Sequence, residues 1–292
     1  MQLTTPVNIA PSSLRIDHST PLLLMGSCFS DEIGGKLLAA GFDVLCNPFG
    51  TLYNPLSIAL ALQHAMDNLE INTDWLIHAD HAWHSWMHHS RFSHPDPSAC
   101  LDQCNASIHQ THFFLQRSPV IIVTFGTAYS FFLQSPGIAT SMQGQVVANC
   151  HKLPAAMFTR RRLSIEEIVN VWHSFTTLTP IIFTVSPIRH MADGAHGNQL
   201  SKSTLLLATE QMTDTCDGWH YFDSYEILID ELRDYRFYAR DMCHPSDLAV
   251  DIMWQRFQDT YMSPQTQNRI RQEEKTSRQT LHRPIIQDKT NQ

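Results

Sequence analysis

The spacing of short apolar runs restricts this 292-residue chain most. Residues 22–25, 42–46, 120–125, 181–185 and 219–222 each carry a strand-length hydrophobic stretch, and enough chain for a helix separates each from the next. Such runs read as buried strands, and their alternation with helices implies βαβ units and a mainly parallel sheet. The expected class is therefore α/β. Two helices stand out. Ser164 and Glu167 form a capping box ahead of Ile165, Ile168, Val169, Trp172 and Phe175 at helical spacing, and residues 246–257 place Ala249, Ile252, Met253 and Phe257 on one face.

The order of these elements suggests one large domain over residues 1–264. Residues 70–115, rich in His and Trp, interrupt the alternation and read as an inserted lobe or lid. Residues 265–292 are polar with little periodicity and are expected to form a loosely ordered tail. With 43% apolar residues the chain can bury a full core. A net charge of -8 carries no basic signature for nucleic acid or an anionic membrane. The first residues lack the pattern of a signal peptide, and no apolar run approaches the ~20 residues that span a bilayer. Seven scattered cysteines do not form a disulfide framework. A cytoplasmic protein with reduced thiols is the expectation.

The stretch LLLMGSCFSDEIGG, residues 22–35, ends a strand and starts a helix, with Ile33, Leu37 and Leu38 on one helical face over residues 31–41. Ser27 then occupies a strand-to-helix turn at the C-terminal end of a parallel strand, where open α/β sheets bind ligands; the place suits a nucleophile or a bound phosphate. Cys28, its neighbour, is expected to point into the core as a small hydrophobe. Far along the chain, ARDMCHPS sets Asp241 three residues before His244. On a loop that spacing lets the carboxylate fix the imidazole through Nδ1 and leave Nε2 as a general base.

With these residues in view, the sequence resembles the GSCFA family. MGSCFSDEIG, NPFGTLYNP, VTFGTAYSF, VANCHKLP, TVSPIRHMADGAHGNQLSK and YEILIDELRDYRFYARDMCHPS read as its motifs in order, over about residues 20–260. The family is similar to the SGNH (GDSL-like) hydrolases. That resemblance implies a flavodoxin-like three-layer α/β/α sandwich and a serine esterase mechanism. Ser27 would be the nucleophile, Asp241 and His244 its partners, and the N–H groups of Ser27 and Gly50 part of an oxyanion hole. The third block departs from the superfamily pattern, because Gly126-Thr127-Ala128-Tyr129 replaces G-x-N-D. The Thr127 hydroxyl or Asn149 is then the candidate for the missing donor.

The substrate class this implies is a small-molecule or carbohydrate ester, with no cofactor. Arg189 and His190, at a strand's C-terminal edge, and Lys152 are candidate substrate-binding residues, although Asp193 offers Arg189 a local structural partner. Close alternatives are an acyltransferase with the same three residues and a binding protein that keeps the sheet without catalysis. His78, His81, His84 and His88 would stack on a helix at spacings of 3, 3 and 4, a geometry open to zinc or copper, but ordinary packing is favoured and no metal site is assigned. Cys100 and Cys104 read as structural, and residues 230–236 as a solvated helix face. Oligomeric state is not legible.

Overall fold

Alternation along the apolar runs divides the core in two. Leu23, Met25, Ile121, Val123, Phe125, Ile181, Phe183 and Val185 pack into one cluster with Leu62, Ile168, Trp172 and Leu205. Their neighbours Leu22, Leu24, Val120, Ile122 and Ile182 face a second cluster containing Phe29, Leu37, Met253 and Phe257. Successive strand residues point to opposite faces, so a strand apolar at every position lies in a sheet covered on both sides.

The computed structural model describes residues 5–134, 142–178 and 180–281. In chain order its elements are β1 (Leu22–Gly26), α1 (Cys28–Ala39), β2 (Val44–Cys46), α2 (Pro55–Asp67), β3 (Leu76–Ala79), β4 (Ala82–Ser85), α3 (Pro97–Leu115), β5 (Val120–Phe125), β6 (Tyr129–Leu133), β7 (Val146–Val147), β8 (Phe158–Arg162), α4 (Ile165–Trp172), β9 (Ile181–Val185), α5 (Gly194–Thr215), β10 (Trp219–Tyr221), α6 (Ser224–Glu226), α7 (Asp247–Tyr261) and α8 (Pro264–Leu281). The main sheet has five strands in the order β10-β9-β5-β1-β2, all pairs parallel. Helices flank it on both faces. Counting only these strands, the order is 2-1-3-4-5, the doubly wound pattern whose ligand crevice opens where strand order reverses. That point lies between the C-terminal ends of β1 and β5, which pair through Gly26 and Thr124.

The structure adds to or departs from the sequence reading in three places. The histidine-rich stretch is not helical: β3 and β4 form an antiparallel hairpin, with Leu76 opposite Ser85 and His78 opposite Trp83. Asp80 and His81, both at positive φ (45° and 63°), make its two-residue turn, the conformation that suits the twist of a tight hairpin. Period-3 histidine spacing therefore does not become one face. Strands β6, β7 and β8 add a separate antiparallel sheet, in the order β7-β6-β8, which shares a small core of Trp86, Leu133, Met142, Val147 and Phe158. The segment after residue 264 is helical through α8, anchored by the buried Ile270, instead of loosely ordered; residues 282–292 lie outside the described residues.

Candidate functional site

Two turns around Asn47 shape the end of β1. Its side-chain oxygen accepts from the Gly26 N–H (2.9 Å), and its amide donates to Asp31 Oδ1 (2.7 Å), tying the strand end to the first turn of α1. Gly26 itself has φ +146°, and a Cβ there would sit 2.2 Å from the Thr124 carbonyl oxygen, so only glycine permits this contact between β1 and β5.

Helix α1 starts earlier than the sequence suggests, with Ser27 as its N-cap. This settles which way the two neighbouring side chains point. Ser27 Oγ turns back to accept from the Phe29 N–H (3.3 Å), and the residue is only 1% exposed. Cys28, the first residue inside the helix, projects over the sheet edge, where its Sγ lies 3.6 Å from His244 Nε2. The expected orientations of Ser27 and Cys28 are thus exchanged: the residue that faces the imidazole is the thiol. The physical reason is the cap, whose side chain is drawn to a free helix N–H group.

On the other side of the site, Asp241 Oδ2 sits 2.5 Å from His244 Nδ1. Asp241 Oδ1 also accepts from the backbone N–H groups of Cys243 (2.9 Å) and His244 (3.0 Å). These donors, with the imidazole, hold the Asp241 carboxyl down to about 2, so it is ionised at all ordinary pH. The Cys28 thiol moves the opposite way. Burial pushes it up, and Asp31 and Glu32 in the same helical turn add to the rise, while the N–H groups of Cys28 and Phe29 oppose it. The resting sulfur is therefore a thiol, not a thiolate.

The predicted oxyanion donors are mostly engaged elsewhere. The Ser27 N–H bonds Thr124 O (3.2 Å), and the Gly50 N–H bonds Asn47 O (2.8 Å). Gly50 is a glycine for another reason: it has φ +78°, and a Cβ would approach His89 Cβ to 2.2 Å. Thr127 Oγ1 pairs with Ser201 Oγ (3.1 Å) and accepts from the Tyr129 N–H. Asn149 Oδ1 accepts from the His151 N–H (2.8 Å). The Cys28 N–H, at the first position of α1, has no partner available inside the helix. It is the donor best placed for charge developing next to its own side chain.

Of the candidate substrate-binding residues, Arg189 holds the histidine loop: its N–H bonds Cys243 O (3.1 Å), its guanidinium bonds Met242 O (3.2 Å), and it lies over the Tyr238 ring. The local partner expected for it, Asp193, instead binds Arg160. His190 packs edge-on against Tyr53, its centroid 6.2 Å away, with its N–H on Asn198 Oδ1 (2.8 Å). Burial, with Lys202 close by, lowers its imidazole to about 4, so it is neutral near pH 7. Lys152 is exposed in a left-handed turn with His151. Beside the loop lies a cavity of about 300 Å³, walled by Arg189, Asn198, Gln199, Tyr225, Tyr235 and Tyr238 among others.

Sequence reasoning missed Tyr53 and Lys202. The Tyr53 carbonyl accepts from the N–H groups of Gly126 (2.8 Å) and Thr127 (2.9 Å). Lys202 is completely buried and donates to Gly126 O and Ser186 O, each at 2.7 Å. The available signal was the spacing of Asn198, Ser201 and Lys202, three polar residues on one face of α5 that all turn out to face the strand ends.

The sequence model of the GSCFA family matches residues 21–257. The chain belongs to the GSCFA family. No curated protein and no solved structure matches it. The match spans every residue of the GSCFA site just described, from Cys28 to His244. Among the described residues of this GSCFA protein, no three His, Cys, Asp or Glu side chains gather to hold a metal ion, and no helix is long and apolar enough to cross a membrane. All seven cysteines are free. Of the four clustered histidines, His84 bonds Ser93 Oγ and Ala79 O and stacks on His151, and the buried His88 lies between Ser85 Oγ and Ser107 Oγ, whereas His78 and His81 are exposed.

Proposed function

We propose that this protein is an acyl-transfer enzyme, an esterase or acyltransferase, in which Cys28 is the nucleophile and His244, oriented by Asp241, is the general base. One observation carries the reading: His244 Nδ1 lies 2.5 Å from Asp241 while its Nε2 faces Cys28 Sγ at 3.6 Å, at the sheet's reversal point. His244 Nε2 takes the thiol proton as sulfur attacks an ester carbonyl, and the Cys28 N–H stabilises the oxyanion. Collapse expels the alcohol, which receives the proton from His244, and leaves a thioester on Cys28. Water, or an acceptor hydroxyl in a transferase, then attacks with His244 again as base. The raised thiol favours proton transfer during attack over a resting thiolate. The cavity behind Arg189 and Tyr238 suits the alcohol portion of the ester, with tyrosine faces for a ring and Asn198 and Gln199 for hydroxyls, consistent with a carbohydrate ester.

The engaged N–H groups of Gly50 and Thr127 favour a second reading, a binding protein on the same sheet, because they leave the oxyanion with few free donors. Acetylation by p-nitrophenyl acetate separates the two. An acetyl adduct mapped to Cys28, absent in Cys28→Ala and His244→Ala but present in Ser27→Ala, is expected. A folded wild-type protein that acquires no adduct would favour binding alone; an adduct on Ser27 would return the nucleophile to serine.

A further inference from the structure

A lysine buried without a carboxylate partner is unusual, because burial penalises the ammonium heavily. Lys202 is such a residue. It lies on the α5 face that carries Asn198 and Ser201, and its Nζ has two neutral acceptors, Gly126 O and Ser186 O, just past the C-terminal ends of β5 and β9. Gly126 is in turn packed against the nucleophile turn, since a Cβ there would meet Ser27 Cβ at 3.4 Å. Methionine or leucine would fill the same space without desolvating a charge.

We propose that Lys202 is a positioning residue for the site, its ammonium clamped beneath the β1–α1 turn so that it stabilises negative charge developing on Cys28 and on the oxyanion formed there. The inference rests on Cys28 as nucleophile. Burial lowers the Lys202 ammonium to about 7, and a charged Cys28 raises it again, so the two charges support each other. The other groups facing this pair work differently. Asp31 and Glu32 on α1 oppose a Cys28 thiolate. Tyr53, whose own phenol is raised by burial, lies beside Cys28 and remains neutral. His190 is held neutral by burial and by Lys202 itself. Tyr225 offers Lys202 its ring at 5.9 Å, and His244 carries the proton that Cys28 gives up. Lys202 thus offers its positive charge from a fixed place, in full only below about pH 7, where it is protonated.

The test is the pH dependence of Cys28 alkylation by iodoacetamide, followed by peptide mapping, in wild type, Lys202→Met and Lys202→Gln; the glutamine keeps a donor without the charge. Both variants are expected to slow Cys28 alkylation several-fold at and below neutral pH, where Lys202 is protonated, and to leave the rate above about pH 9 unchanged. A purely structural lysine would lower stability and leave the rate at and below neutral pH unchanged, which would overturn the proposal. Wild-type Cys28 that resists alkylation throughout would instead sink the nucleophile assignment, and this inference with it. If neither variant folds, the reciprocal measurement keeps Lys202 in place: Cys28→Asp should flatten the rise of stability above pH 7 relative to Cys28→Asn, and equal profiles would refute the coupling.

Discussion

The two halves of the site are built in opposite ways. The Cys28 half is set into the sheet: Gly26 touches β5, Asn47 locks strand to helix, and Lys202 lies wholly buried beneath. The His244 half is a surface loop whose two acting side chains are 48% and 50% exposed, held by backbone bonds at Ala239 and Ser246 and by Arg189. Where Cys28 sits is therefore tied to the stability of the whole fold, whereas His244 and Asp241 can be altered without disturbing the core. Buried, fully bonded turns transmit any change into packing; exposed loops do not.

The largest expected effect is on the buried half. Gly26→Ala must place a methyl 2.2 Å from a backbone oxygen at φ +146°, and a loss of more than about 4 kcal/mol, or failure to fold, is expected in chemical denaturation. Mild destabilisation would erase the contrast. Asp241→Asn tests the exposed half: acyl transfer should fall by about 10²-fold with the denaturation midpoint nearly unchanged. A third expectation concerns proton linkage. Lys202 holds its proton more weakly folded (about 7) than at its ordinary value of 10.5. Between those values the unfolded chain binds more protons, so this group makes stability rise with pH, by at most ~1.4 kcal/mol per unit. The difference between wild type and Lys202→Met across that window isolates it. The smallest effect is at Ser27→Ala, where loss of the helix cap costs about 1 kcal/mol while acyl transfer persists. Loss of activity in a stable Ser27→Ala would reverse the roles of the two neighbours.

What the sequence disclosed follows from how local each signal is. The five parallel strands are legible because residues apolar on both faces have no other home, and helix α4 announces itself through Ser164 and Glu167. The pairing of Asp241 with His244 is also local, three residues apart on one loop. The exchange of Ser27 and Cys28 is not legible, since it depends on where α1 begins, and a shift of a few residues redirects the side chains. The hairpin at residues 76–85 was hidden because histidines spaced by three fit a helix as well, and only the left-handed pair Asp80 and His81 decides. Helix α8, polar apart from anchors such as Ile270, offers almost no periodic signal. Lys202 was invisible because a lysine in a polar helix reads as solvated until tertiary structure encloses it.

The separation of Cys28 from His244 along the chain has a temporal side. During synthesis the thiol emerges among the first structural elements, while His244 arrives more than two hundred residues later, after every strand of the main sheet. On the proposed mechanism, Cys28 gains its imidazole partner only once that loop has docked against Arg189.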